Sequence, residues 1–86
     1  MFGRKPKEPP ETRELVLDRI GLAEAASVNL EVWWATFVGQ TEIQQIHLST
    51  IGMENKHHLV LARRGDRIRI YTRKGRIVGF QNLELG

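Results

Sequence analysis

With 86 residues, 41% hydrophobic and 27% charged, the chain has the composition of one small domain, able to bury only about 60–65% of the surface it exposes when unfolded. It has no cysteine, which excludes disulfide staples and zinc–thiolate clusters and leaves apolar packing, or burial against another subunit, to stabilise it. The formal net charge of +3 hides a division: five Lys/Arg face eight Asp/Glu in residues 1–55, whereas eight face two in residues 56–86, so the C-terminal part is suited to a polyanion or an acidic partner.

Residues 1–10 hold all three prolines and read as a flexible arm, because proline cannot sustain a regular hydrogen-bonded element. The basic start, Met1 to Lys7, lacks the apolar stretch of a secretory leader. The longest nearly apolar run, Val32 to Val38, has seven residues, against the roughly 20 that cross a bilayer. A cytoplasmic protein with no membrane span is expected.

From Glu11 to Ile20, Leu15, Val16, Leu17 and Ile20 among charged residues, with acids early and Gly21 at the end, predict a short N-terminal helix. Leu22 to Ser27 extends it as a further turn. After Ser27 the period becomes two. Val28 to Val38 predicts a long strand, Gly39-Gln40 a turn, and Glu42 to Ile51 a second strand with a bulge between Ile43 and Ile46. Gly52 to Asn55 closes a hairpin onto a third strand, His57 to Ala62. Arg64-Gly65-Asp66 interrupts before a fourth strand, Arg67 to Thr72, and Lys74-Gly75 turns into a fifth, Arg76 to Leu83. The expected fold is mainly β (α+β). Residues 11–86 form one domain, a short N-terminal helix followed by a five-stranded antiparallel small barrel in up-and-down order, which leaves no exposed edge.

Gly65-Asp66-Arg67-Ile68-Arg69-Ile70 followed by Gly75-Arg76-Ile77-Val78-Gly79 resembles the glycine-punctuated strand pairs of SH3-like and Sm-like small barrels, including ribosome- and transcription-associated ones. The likeness is one of architecture, so no site residue follows from it.

The candidate site comes from charge. In the fourth strand Arg67, Arg69, Tyr71 and Arg73 share one face while Ile68, Ile70 and Thr72 share the other. Arg63 and Arg64 flank one end of that strand, and Lys74 and Arg76 the other. Such a ladder grips phosphates bidentately, with Tyr71 as a ring on which a base stacks. The same charges also suit a solvated edge or a contact with an acidic helix of a second copy. Trp33 and Trp34 point to opposite faces of one strand; one belongs to the core and the other is expected under the N-terminal helix, the alternative being an exposed interface or stacking residue. His47, His57 and His58 approach one another if the second and third strands pair, with too few ligands for a metal. Ser27 and Ser49 have no nucleophile elbow or paired base, and the glycines form no phosphate loop.

A non-catalytic module without cofactor or metal is expected, binding RNA or single-stranded DNA through Arg63, Arg64, Arg67, Arg69, Tyr71, Arg73, Lys74 and Arg76. The alternative is an assembly or adaptor protein that forms a homo-oligomer or docks on a larger protein complex.

Overall fold

The computed structural model describes residues 9–25, 27 and 30–85. Expectations for the arm over residues 1–8 and for Ala26, Val28 and Asn29 lie outside the described residues; Pro9 and Pro10 are in no regular element. The chain is mainly β, with strands β1 (Glu11–Ala25), β2 (Glu31–Phe37), β3 (Gln44–His47), β4 (Arg67–Arg73) and β5 (Arg76–Asn82). Between β3 and β4 run a one-turn helix α1 (Leu48–Ile51), a 3-10 turn (Met53–Asn55) and a short helix α2 (Lys56–Val60).

All pairings are antiparallel, in the order β3-β2-β1-β4-β5. This is not the expected up-and-down order, because β4 pairs with β1 and not with the strand before it. Strands β3 and β5 are the two edges, so the sheet is not closed; α1 packs against both.

Strand β1 organises the sheet. Its first part, Glu11 to Val16, pairs with β4, and from Leu17 onward it pairs with β2. The change of partner is held by backbone bonds: Val38 N–H donates to Val16 O at 2.9 Å, Leu17 N–H to Asp66 O at 2.8 Å, and Gly65 N–H to Leu17 O at 2.8 Å. A register shift between Leu17 and Arg19 bends the strand there and changes the inward phase, so that Leu15 and Leu17 face the core before the bend and Ile20 after it.

The expected helix over Glu11–Ile20 is therefore a strand. A helix that short is marginal alone, whereas extended backbone here pairs with two partners. Gly21 is no helix cap; it lies under the Trp34 indole. The expected third strand, His57–Ala62, is instead helical. Leu59 is buried while Val60 and Leu61 are exposed, which a one-turn helix allows and a two-sided strand does not. The second strand is shorter than expected, turning into α1 after His47 so that Leu48 and Ile51 both reach the core.

The core comprises Leu17, Ala35, Phe37, Ile46, Leu48, Ile51, Leu59, Ile68, Ile70, Ile77 and Phe80, with Trp33 packed at its margin. In β5 a register shift opposite Tyr71 and Thr72 lets Ile77 and Phe80, three residues apart, both face inward. Among the described residues no helix is long and apolar enough to cross a membrane.

Leu17, fully buried at the bend, is the position where a cavity would cost most. Leu17→Ala should lower the unfolding free energy by about 2–5 kcal/mol, read as a lower urea midpoint with little change in slope.

Candidate functional site

Strand β4 forms as its alternation dictates, with Ile68 and Ile70 buried and Arg67, Arg69 and Tyr71 on the outer face. The structure divides the eight candidate residues by their surroundings. At the start of β4, Arg64 Nε meets Asp18 Oδ1 at 3.1 Å and Arg67 Nε meets Glu84 Oε2 at 3.0 Å. Midway, Arg69 reaches Glu14, its neighbour on β1, at 3.8 Å. These three charges are largely offset within the chain. The sequence could not show this, because Glu14 and Asp18 belong to the segment expected to be helical.

The far end of β4 is different. Arg73, Lys74 and Arg76 have no ion-pair partner among the described residues, nor has Arg63. Arg73 and Arg76 are direct cross-strand partners, an arrangement in which like charges repel. Between them Lys74 has φ 52° and Gly75 φ 77°, the left-handed pair of a tight hairpin turn. Lys74 is the one non-glycine with positive φ among the described residues, and a lysine there costs more than Asn or Gly would. The three cations surround an open recess of about 450 Å³, completed by Thr50 of α1 and Val78 of β5.

Tyr71 lies two residues from Arg73 on the outer face. Its hydroxyl donates to Gln81 Oε1 at 3.1 Å, and its ring covers Gly79, where a Cβ would come within 2.7 Å of Cδ2. The glycine is what lets the ring rest against the sheet.

The tryptophans divide as their adjacency requires, but the segment expected to cover one of them as a helix is strand β1. Trp33 faces inward and donates its indole N–H to Glu31 Oε1 at 3.0 Å. Glu31, almost buried, also holds Lys56 Nζ at 2.7 Å. The Lys56 bond, then that from Trp33, keeps the Glu31 carboxyl below the usual carboxylate range. Trp34, half-buried on the outer face, rests on Gly21, its partner in β1. The sequence left open which of the two tryptophans is core; the signal that would have found the place of Trp34 is Gly21 read as an aromatic's seat.

His47 does not meet the other histidines as expected, because His57 and His58 are on α2. It approaches Gln45 Oε1 at 3.2 Å through Nε2. The rings of His57 and His58 lie against each other, tilted by 39°, with centroids 4.2 Å apart. His58 Nδ1 accepts the Asn82 N–H at 3.0 Å. Asn82, buried, donates through Nδ2 to Asp66 Oδ2 at 2.9 Å and accepts the Glu84 N–H at 3.0 Å. Asp66 Oδ2 also takes the Arg63 N–H at 2.8 Å. This network closes the end of the domain opposite the hairpin.

No protein-family model matches the chain, and neither a curated protein nor a solved structure does.

Two outcomes follow from the geometry. Lys74→Asn relieves backbone strain and one like-charge repulsion, so it should raise stability by about 1 kcal/mol in urea unfolding. Burial, then the charge of His57, pushes the His58 pKa down, so the native state takes up this proton less readily than the unfolded chain. The contribution is full above the unfolded value of about 6.5 and is lost as pH falls below it towards the folded value. Asp66 and Glu84, lowered by their bonds to Asn82 and Arg67, add a second loss below about pH 4.5. Urea midpoints should therefore decline from pH 7 to 5.5, and His58→Gln should flatten that part of the curve while leaving the acid limb.

Proposed function

We propose that the protein is a non-catalytic module that binds nucleic acid, RNA or single-stranded DNA, through the β4–β5 hairpin. The observation that carries this reading is the trio Arg73, Lys74 and Arg76 around an open recess, with no acid paired to any of them among the described residues. A protein gains nothing in stability by placing arginines directly opposite each other beside a strained lysine. A phosphate between them converts that repulsion into charge-assisted hydrogen bonds. Tyr71 is the ring against which a base beside that phosphate would rest, with Arg63 as a peripheral cation and Arg69, beside Glu14, a weaker one. Arg64 and Arg67, already held by Asp18 and Glu84, contribute less.

The reading includes a partly open barrel, with α1 filling the gap between β3 and β5. Five strands with a long crossing connection suit the small barrels that bind oligonucleotides. That likeness is an analogy of fold, and the function rests on the hairpin.

An assembly role is favoured by a separate observation: Val38 and Ile43, flanking the β2–β3 connection, are 60% and 70% exposed. It separates from the first reading by light scattering, since a hairpin binder needs no second copy.

Fluorescence anisotropy with a labelled oligonucleotide over a salt series tests the hairpin. Arg73→Ser with Arg76→Ser should weaken binding of unrelated sequences alike and flatten the slope of log affinity against log salt by about 1.4, the value for two phosphate contacts on a single strand. Arg64→Ser should change it little. An unchanged slope in the double variant would remove the hairpin as the site.

A further inference from the structure

We propose that the hairpin's ligand is a single strand whose path continues from the recess across the outer face of β3 and β2, where one base stacks on Trp34. This rests on the hairpin reading and adds a ligand class and a second contact surface to it.

The path is set by register. Trp34 is paired across the sheet with Gly21 on one side and Gln45 on the other. Side chains directly opposite in a sheet share a face, and so do residues two apart along a strand, so Trp34, Gln45 and His47 form one outer row. From His47 the chain enters α1, whose Thr50 lines the recess beside Arg73, Lys74 and Arg76. With strands about 4.8 Å apart and about 3.3 Å per residue, the track from Trp34 to Thr50 spans roughly 15 Å. Its middle is the linked pair Gln45 and His47, which offers hydrogen bonds to base edges.

The Trp34 side chain has the form such a path needs. A Cβ on Gly21 would come within 2.7–2.8 Å of the indole Nε1, Cε2 and Cζ2, so the bare glycine is what lets the ring rest against the backbone. Trp33 commits its N–H to Glu31; Trp34 makes no such side-chain bond among the described residues and is partly exposed. On the same face the partner of Thr36 is Arg19, while Glu24, the partner of Val32, which in turn faces His47, is an acid beside the path. Paired bases are stacked within a duplex and cannot rest on an indole, whereas an unpaired base of any sequence can. Phosphates held at the hairpin and a ring on β2 therefore select single strands.

The probes are a short oligothymidine, the corresponding duplex, and inorganic polyphosphate. Oligothymidine should quench tryptophan fluorescence of the wild-type protein and polyphosphate should not. Trp34→Ala should weaken oligothymidine binding by about 5- to 100-fold and leave polyphosphate binding unchanged, while Trp34→Phe keeps most of the affinity. Arg73→Ser with Arg76→Ser should weaken both ligands. Equal oligothymidine affinity in wild type and Trp34→Ala, or duplex bound as tightly as single strand, overturns the Trp34 path and leaves the hairpin standing if polyphosphate binding still depends on the arginines. Failure of the wild type to bind either ligand at low salt overturns the hairpin reading itself. If Trp34→Ala does not fold by circular dichroism, the wild-type quench decides: quenching by oligothymidine alone supports the path, and quenching by neither or by both overturns it.

Discussion

The bend of β1 at Leu17 is the constraint on which the rest of the structure depends. One strand of 15 residues serves two partners, and the sheet can curve around a core only because the strand changes partner within two residues. Leu17 gives its side chain to the core and both of its backbone groups to the Gly65–Asp66 turn. Curvature, burial and the entry to β4 are thus fixed at one position. The Asp66 side chain continues the chain of constraint through Asn82 to His58 on α2, which ties the end of β5 to the connection that leads into β4.

That arrangement explains which parts of the fold were legible in the sequence. The hairpin β4–β5 was, because its determinants are local: alternation of Ile68 and Ile70 with Arg67, Arg69 and Tyr71, and a two-residue turn at Lys74-Gly75. For β2 the alternation was legible as far as putting Trp33 and Trp34 on opposite faces, but not as to which of them faces the core. Strand β1 was not. Its apolar residues Leu15, Val16, Leu17 and Ile20 fit a helical stripe as well as a strand with a bulge, and only pairing with β2 and β4, from distant parts of the sequence, decides between them. The short helix α2 failed in the opposite sense, since His57 to Ala62 has strand-like composition but only Leu59 has a core position to fill.

The error over β1 propagated into the candidate site. Read as a helix, the N-terminal segment was an acidic element apart from the basic strand. As a strand beside β4 it brings Glu14 against Arg69, while Asp18 reaches Arg64. Such exposed pairs add little stability each, but they set an acid beside Arg64 and Arg69 in the first half of the basic surface. Charge counted along the sequence therefore overstated the extent of the basic surface and understated its contrast, which is concentrated at the hairpin. Both aromatic seats escaped notice for a related reason. Gly21 reads as the end of a helix and Gly79 as one glycine of a punctuated strand pair until register places an aromatic ring over each.

The two ends of the β4–β5 pair are built on opposite principles. At the Asn82 end, buried polar atoms are matched in a network with His58, Asp66 and the Glu84 backbone, an arrangement whose cost rises when any one partner is removed. At the hairpin end, like charges face each other across the strands and a lysine occupies a conformation that glycine or asparagine adopts more readily. Local stability alone would select against the second pattern, because residues that favour the turn and avoid the repulsion are available without disturbing the core. A domain of this size has little stability to spare. Retention of strain and repulsion at one tip, beside a satisfied network at the other, is the distribution expected when the tip is completed by something outside the chain.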